Sequence, residues 1–312
     1  MFRYSRSRTL RKTRGLPGIW PAVVMAALIT VPPAFGQPPH DPTDLDADGV
    51  PGVAGPRAPG SEVPEVFALS TTGSLLIDRS HGEGSFVVSG FTGYLEAEGW
   101  SVDELLTGPI TESALSPYDV VMVPVGSRFG IASFTAAEVA AVSAYLSSGG
   151  GLWLLNEYDT DPTGINSLSN AFGVAFFQDQ VRDSTNNEGE AFWPTIHLLE
   201  DHEVTGGVSS YGYYAGCCLS VDPPSTILGS ADDDAFSSSC SSFPPTLAVY
   251  ETSGRVVFSG DVTPLHPSYY PENLREEEEL LLQNIVNWLA QKPPTATTAT
   301  SWGQVKMLYP PR

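Results

Sequence analysis

The amino-acid sequence predicts an α/β fold on a mostly parallel sheet. Three observations carry this. Short apolar runs alternate with longer amphipathic segments between residues 65 and 291, as strands and crossover helices do. One of those runs, Tyr118 to Val125, is apolar at almost every position, the pattern of a strand covered on both faces. The interval after it carries helix punctuation: Thr135 and Glu138 at capping-box spacing, then Gly149-Gly150-Gly151 as a stop.

The elements follow in order. Ser74 to Asp78 reads as the first strand, and Phe86 to Glu98 as a helix ended by Gly99. Trp100 to Leu105 is a second strand and Tyr118 to Val125 a third. The helix opened by Thr135 has Phe134 placed as a hydrophobic staple and continues through Val139, Val142, Tyr145 and Leu146. Gly151 to Leu155 is the next strand, and Ile165 to Phe172 a short helix. Ala191 to Leu199, Val204 to Val208 and Ser225 to Leu228 read as β-like, and 229–245 as a surface loop. Thr246 to Tyr250 and Arg255 to Ser259 flank Thr252-Ser253-Gly254, which predicts a hairpin. Glu276 to Leu289 closes the domain as a helix with four acidic residues in its first turn, where the helix dipole favours them.

The flanks are different in kind. Arg3, Arg6, Arg8, Arg11, Lys12 and Arg14 precede a short apolar run from Ile19 to Val31 and then Ala34-Phe35-Gly36. That order predicts a signal peptide over residues 1–36 and a secreted or periplasmic protein; the alternative is an uncleaved anchor. Residues 37–64 are rich in Pro, Gly and Asp and predict a linker. Within it, Asp44, Asp46 and Asp48 precede Gly49 and resemble the opening half of a calcium loop. The twelfth position is Gly55, which offers no carboxylate, and this favours a solvated acidic linker over calcium. Residues 292–312 predict a Pro/Thr linker and a short apolar tail, Trp302 to Tyr309.

Charge limits the partners. The chain has 15 Lys+Arg against 36 Asp+Glu, net −21, and cleavage before Gln37 would leave nine basic residues and a net charge of −27. Such a surface repels nucleic acid and anionic lipid. No other run approaches a membrane-spanning length, so no span is expected after signal cleavage. Three cysteines, Cys217, Cys218 and Cys240, fit an exported protein with one disulfide and one thiol over. Cys218 or Cys217 can each pair with Cys240, and the 22-residue step from Cys218 corresponds to about 3 kcal/mol in the chain-entropy picture.

Four segments then point to a family. They are Leu76-Ile77-Asp78-Arg79-Ser80-His81-Gly82; Tyr118-Asp119 through Pro124 with Phe134-Thr135, Glu138 and the Gly149–Leu154 run; Asp201-His202-Glu203 through Val208; and Gly254 to Asp261 followed by Asn284 to Leu289. In that order the chain resembles the class I glutamine-amidotransferase-like superfamily, in its non-enzymatic exported and intraflagellar-transport-type branches. The resemblance implies a flavodoxin-like three-layer sandwich. It also implies a cysteine on a strained turn after the strand that here is Leu152–Leu155. This chain has Asn156-Glu157-Tyr158 there, and no cysteine before Cys217. His266-Pro267 matches part of the active members' His-Pro-Glu, but a base without a nucleophile performs no acyl transfer.

Ligands of open α/β sheets sit beyond the carboxyl ends of the strands. The candidates there are Asp78, His81 and Glu83 after the first strand, Arg128 after the third, Asn156, Glu157 and Asp159 after the fourth, and Asp261 and His266 after the last. Adjacent strands would gather them into one cleft. Helix capping is the structural alternative for each Asp or Asn. Tyr211, Tyr213 and Tyr214, with Phe192 and Trp193, fit either sugar stacking or packing. The expected function is a non-catalytic exported module binding a small ligand, a carbohydrate or a protein, without cofactor unless calcium sits on the linker. The alternative is a hydrolase using paired acids such as Glu157 and Asp261.

Overall fold

A computed structural model of the chain describes residues 72–291, apart from 83–84, 127–128, 241, 253 and 272. The expected signal peptide, linker and tail, the Asp44/Asp46/Asp48 run, Glu83 and Arg128 lie outside the described residues.

The sheet has eight strands in the order β2-β1-β3-β4-β12-β11-β10-β7. Its first five members are β2 (Ser101–Leu105), β1 (Ser74–Asp78), β3 (Val120–Pro124), β4 (Gly151–Leu155) and β12 (Arg255–Ser259), and all pair in parallel. Read in sequence within this block, the order is the flavodoxin-like 2-1-3-4-5. Beyond β12 the sheet turns antiparallel through β11 (Pro245–Tyr250), β10 (Thr226–Ser230) and the two-residue β7 (Leu198–Leu199). The fold is therefore the predicted α/β sandwich with a mostly parallel sheet.

Period-two alternation sorts the side chains onto two faces. Leu75, Ile77, Val120, Met122, Trp153, Leu155 and Val257 face one way, against α1 (Ser89–Ala97) and α5 (Glu276–Ala290). Leu76, Val121, Val123, Leu152, Leu154, Val256 and Phe258 face the other way, against α2 (Glu112–Leu115), α3 (Ala136–Ser147) and α4 (Thr163–Ser169). Every residue of β3 and β4 is buried, which explains their unbroken apolar sequence. The edge strand β2 keeps Ser101, Asp103 and Glu104 exposed, and charge on an edge discourages pairing with another chain.

α3 begins as its sequence predicts. Thr135 Oγ1 accepts from the Glu138 N–H (3.3 Å), and the Glu138 carboxylate accepts from the Thr135 N–H (2.8 Å). Phe134 is buried ahead of it. Gly149, at φ 99°, takes the chain out of the helix in a conformation that side chains resist.

Two expectations fail. Ala191 to Leu199 is not one strand but two short pieces, β6 (Thr195–Ile196) and β7, on different sheets; β6 pairs with β8 (Tyr211–Gly212). Val204 to Val208 is a turn, with Thr205 donating to the carbonyls of Glu200 and His202. The first stretch holds aromatic and β-branched residues around Pro194 and the second is rich in β-branched residues, but local propensity yields there to turns and side-chain bonds with nearby backbone. A separate ribbon, β5 (Val174–Phe176) with β9 (Leu219–Val221), covers the α4 side.

Cys218 and Cys240 form a disulfide with Cα atoms 6.4 Å apart, and Cys217 is a buried free thiol. Removing the α3 cap by Thr135→Ala should lower unfolding free energy by about 1 kcal/mol with an unchanged far-UV spectrum, as read by urea titration. An unaltered midpoint would mean the box carries no stability.

Candidate functional site

The carboxyl ends of the parallel strands gather the predicted polar residues, but into two clusters instead of one cleft. β3 lies between them in the sheet order.

The first cluster follows β1. Asp78 Oδ1 accepts from the Ser80 N–H (2.9 Å) and hydroxyl (2.7 Å), and Asp78 Oδ2 meets His81 Nδ1 at 2.7 Å. The other ring nitrogen, Nε2, lies 3.4 Å from Glu138 Oε1. Burial disfavours a charged ring, but the bond and charge of Asp78, with Glu138 behind them, outweigh it and hold the His81 pKa above its ordinary value. Flavodoxin-like sheets bind ligands at the switch between β1 and β3. Here the chain after β3 folds onto that point: the Ala132 N–H donates to the His81 carbonyl (2.8 Å), and Phe134 stacks on the imidazole at 3.9 Å. Glu138 is the partner the sequence reading missed. Its capping spacing explained it completely, and nothing in the sequence tied it to a histidine fifty-odd residues earlier.

The second cluster forms where β4 and β12 end side by side, with the Asn156 N–H donating to the Ser259 carbonyl (3.1 Å). Asn156 and Asp261 are buried and Glu157 nearly so. Glu157 Oε1 accepts from the Tyr158 N–H (3.0 Å) and Oε2 from the Thr263 hydroxyl (3.1 Å). Asp261 accepts from the backbone N–H groups of Tyr214 (2.6 Å) and Thr263 (2.8 Å). Burial raises the Glu157 pKa well above the carboxylate range, and the Asp261 charge adds to this. Burial likewise raises Asp261 to about 7 against the lowering pull of its amide donors. Each acid is thus turned toward its own scaffold. The cavity beside Asp261, lined by Tyr211, Tyr213 and Glu278 among apolar neighbours, is about 30 Å³. That admits a water; ligand pockets run to roughly 300–1,000 Å³.

The position of an elbow cysteine is held by Asn156, whose Nδ2 lies 3.6 Å from Cys217 Sγ. A thiol therefore does reach the carboxyl rim, across 61 residues of sequence that give no spacing signal. It is buried, and desolvation, aided by the charges of Glu157, Asp179 and Asp261, pushes its pKa far up although the Asn156 bond opposes this. A thiol held neutral is an inert thiol. Tyr213 packs over it, with its hydroxyl on the Cys217 carbonyl. Gly260 makes this possible: a Cβ there would fall inside both the Tyr213 hydroxyl and the Cys217 carbonyl.

The remaining candidates stand apart. His266 is half-buried, accepts from the Ser268 N–H (3.1 Å) and meets the exposed Phe86 edge to face. Burial lowers its pKa. Asp159 offers its carbonyl to Gln178. Tyr211, Tyr213 and Tyr214 are buried, so packing and hydrogen bonding are their use; Phe192 and Trp193 are half-buried and meet each other edge to face, with Trp193 also against Tyr214. Glu278, read only as part of an acidic helix start, is buried too; it accepts from the Gly212 N–H (2.6 Å) and the Arg275 side chain (2.9 Å) and anchors α5 to β8.

No protein-family model matches the chain, and no curated protein matches it in sequence. Solved structures do match its fold. The N-terminal domain of mmIFT52 superposes with a TM-score of 0.57 at 20% identity, over 70% of this chain and 97% of that one. A ThuA-like protein from Bacteroides uniformis gives 0.45 at 15% identity, over 69% and 90%. A cytoplasmic protein from Salmonella typhimurium LT2 gives 0.46 at 17%, over 70% and 99%. The first establishes a shared fold; the other two are too loose to argue from.

Two variants test the buried acids. The raised pKa values of Glu157 and Asp261 add stability that is full below about pH 4. That stability is lost as pH rises through the Asp261 value of about 7, and His81 adds a loss of the same sign at higher pH. Glu157→Gln can keep the Tyr158 bond on its oxygen and donate its amide to the Thr263 hydroxyl, and should flatten the fall in melting temperature between pH 5 and 8; an unchanged slope would mean that Glu157 does not carry the pH dependence. Gly260→Ala should cost about 1–3 kcal/mol by overpacking, measured by urea unfolding.

Proposed function

We propose that this chain is an exported, non-catalytic module of amidotransferase-like fold that works by binding a protein partner. The observation that carries the reading is the inward turn of the second cluster. Glu157, Asp261 and Asn156 bond to their own scaffold, and the cavity that Asp261 lines is about 30 Å³. Hydrolysis by paired acids needs a substrate between them, or a water with a sugar beyond it, and carboxylates committed to backbone and hydroxyl donors of their own scaffold are poorly placed for either. Acyl transfer needs a thiolate with a base, and Cys217 is neutral and faces an amide.

Binding at the surface is what such a scaffold retains. Phe86 and Phe129, in the loops after β1 and β3, are 65% and 92% exposed at the same end of the sheet, and His266 supports the first. Aromatic side chains of this kind serve protein contacts well. No helix among the described residues is long and apolar enough to cross a membrane. Export is supported by the N-terminal basic and apolar order and by the disulfide.

The chain lacking its first 36 residues should release neither ammonia from glutamine nor p-nitrophenol from aryl glycosides above the rate of a Glu157→Gln/Asp261→Asn variant. Its melting temperature should not move with a panel of mono- and disaccharides. Turnover lost in the double variant would overturn the non-catalytic reading, and a saturable sugar-dependent shift would overturn the choice of a protein partner.

A further inference from the structure

A third acidic group lies away from both clusters, and the function proposed above does not use it. Asp183, Asp232 and Asp234 each bring one carboxylate oxygen to within 4.8 Å of the other two. They come from two loops clamped together: Arg182 and Phe236 exchange backbone hydrogen bonds of 2.8 and 2.6 Å. The second loop leads on to Cys240, whose disulfide fixes it to Cys218.

Acidic side chains crowd together on many surfaces, so the bonding decides. Asp183 is 1% exposed. Its Oδ1 is saturated by the N–H groups of Thr185 (2.8 Å) and Asn186 (2.8 Å) and the Thr185 hydroxyl (3.0 Å). Its Oδ2 is buried and accepts no hydrogen bond among the described residues. Asp232 repeats the pattern: Oδ2 takes the Asn186 amide (2.6 Å), and Oδ1 is buried and accepts nothing. Asp234 is exposed and receives the Thr185 hydroxyl (2.7 Å). Two buried carboxylate oxygens without donors are costly, since each leaves a desolvated acceptor unmatched. The basic side chains nearby are weak compensation: His197 Nε2 stands 3.6 Å from Asp232 Oδ2, the atom already occupied, and Arg182 turns its Nε to Gln180.

We infer that Asp183, Asp232 and Asp234 form a binding site for a divalent cation of the calcium type. The ligands are all oxygen, the preference of a hard cation. Calcium–oxygen bonds of about 2.4 Å span at most about 4.8 Å between two ligands of one ion, and the three oxygens lie within that reach of one another. Asp183 and Asp232 supply the oxygens that lack donors, and Asp234 closes the site from the solvent side, where waters complete the coordination. The ion joins the 182–187 loop to the 231–236 loop. It does across the acidic ends what the Arg182–Phe236 bridge does along the backbone.

Calcium chloride added to the metal-free full-length chain should raise its melting temperature in a saturable way and show binding by titration calorimetry. Asp232→Asn should abolish the shift while keeping the melting temperature in EDTA at or above that of the parent, because it removes carboxylate repulsion. Asp234→Asn, a change at an exposed side chain that does not threaten folding, should weaken binding at least tenfold. Replacing Asp44, Asp46 and Asp48 with Asn should leave the shift in place. The inference is overturned if the parent chain shows no calcium-dependent shift. It is equally overturned if Asp234→Asn binds calcium as tightly as the parent, or if the shift disappears with the N-terminal aspartates.

Discussion

β12 reaches its place beside β4 only after the chain has run through α4, the β5–β9 ribbon, the disulfide loop and the β11 hairpin. Parallel neighbours cannot be joined by a tight turn, so their pairing always brings distant sequence together. Here the register Ser259↔Leu155 sets Gly260-Asp261 against Asn156-Glu157. The intervening segment must then close over the junction, and it does so with Tyr213, Tyr214 and Cys217. The raised pKa values of the acids and the thiol and the Gly260 requirement are all consequences of this one pairing.

The same pairing explains how the rim gathers polar groups and buries them. Here the covering segment excludes water, and burial raises the pKa of both acids. At the other cluster the solution differs. His81 lies between Asp78 and Glu138, which raise its pKa against the cost of burial, while Phe134 stacks on the ring and the Ala132 amide bonds its carbonyl. At one cluster burial favours the neutral acids, and at the other the carboxylates favour the charged imidazole.

Much of the fold was legible because its signals are local or periodic. β1, β3 and β4, the Thr135 capping box, the β11–β12 hairpin and the apolar stripe of α5 fall where patterning places them. The irregular middle was not. Ala191 to Leu199 and Val204 to Val208 have strand-like composition, but their backbone groups are claimed by side chains and turns that depend on distant partners. For the site, the residue types at the strand ends were legible and their grouping was not. Glu138 joined His81, Cys217 joined Asn156, and His266 joined neither cluster.

The sequence by itself determined the layer architecture, since apolar spacing and glycine punctuation state which faces are covered and where strands end. It also determined that the turn after β4 carries no cysteine, which is a matter of residue identity alone. Only the tertiary structure decided which polar groups meet, which of them lose water and so keep a proton, and that Asp183 faces Asp232 and Asp234 from another loop. Those properties depend on burial and on distances between residues far apart in the chain, and a one-dimensional pattern carries neither.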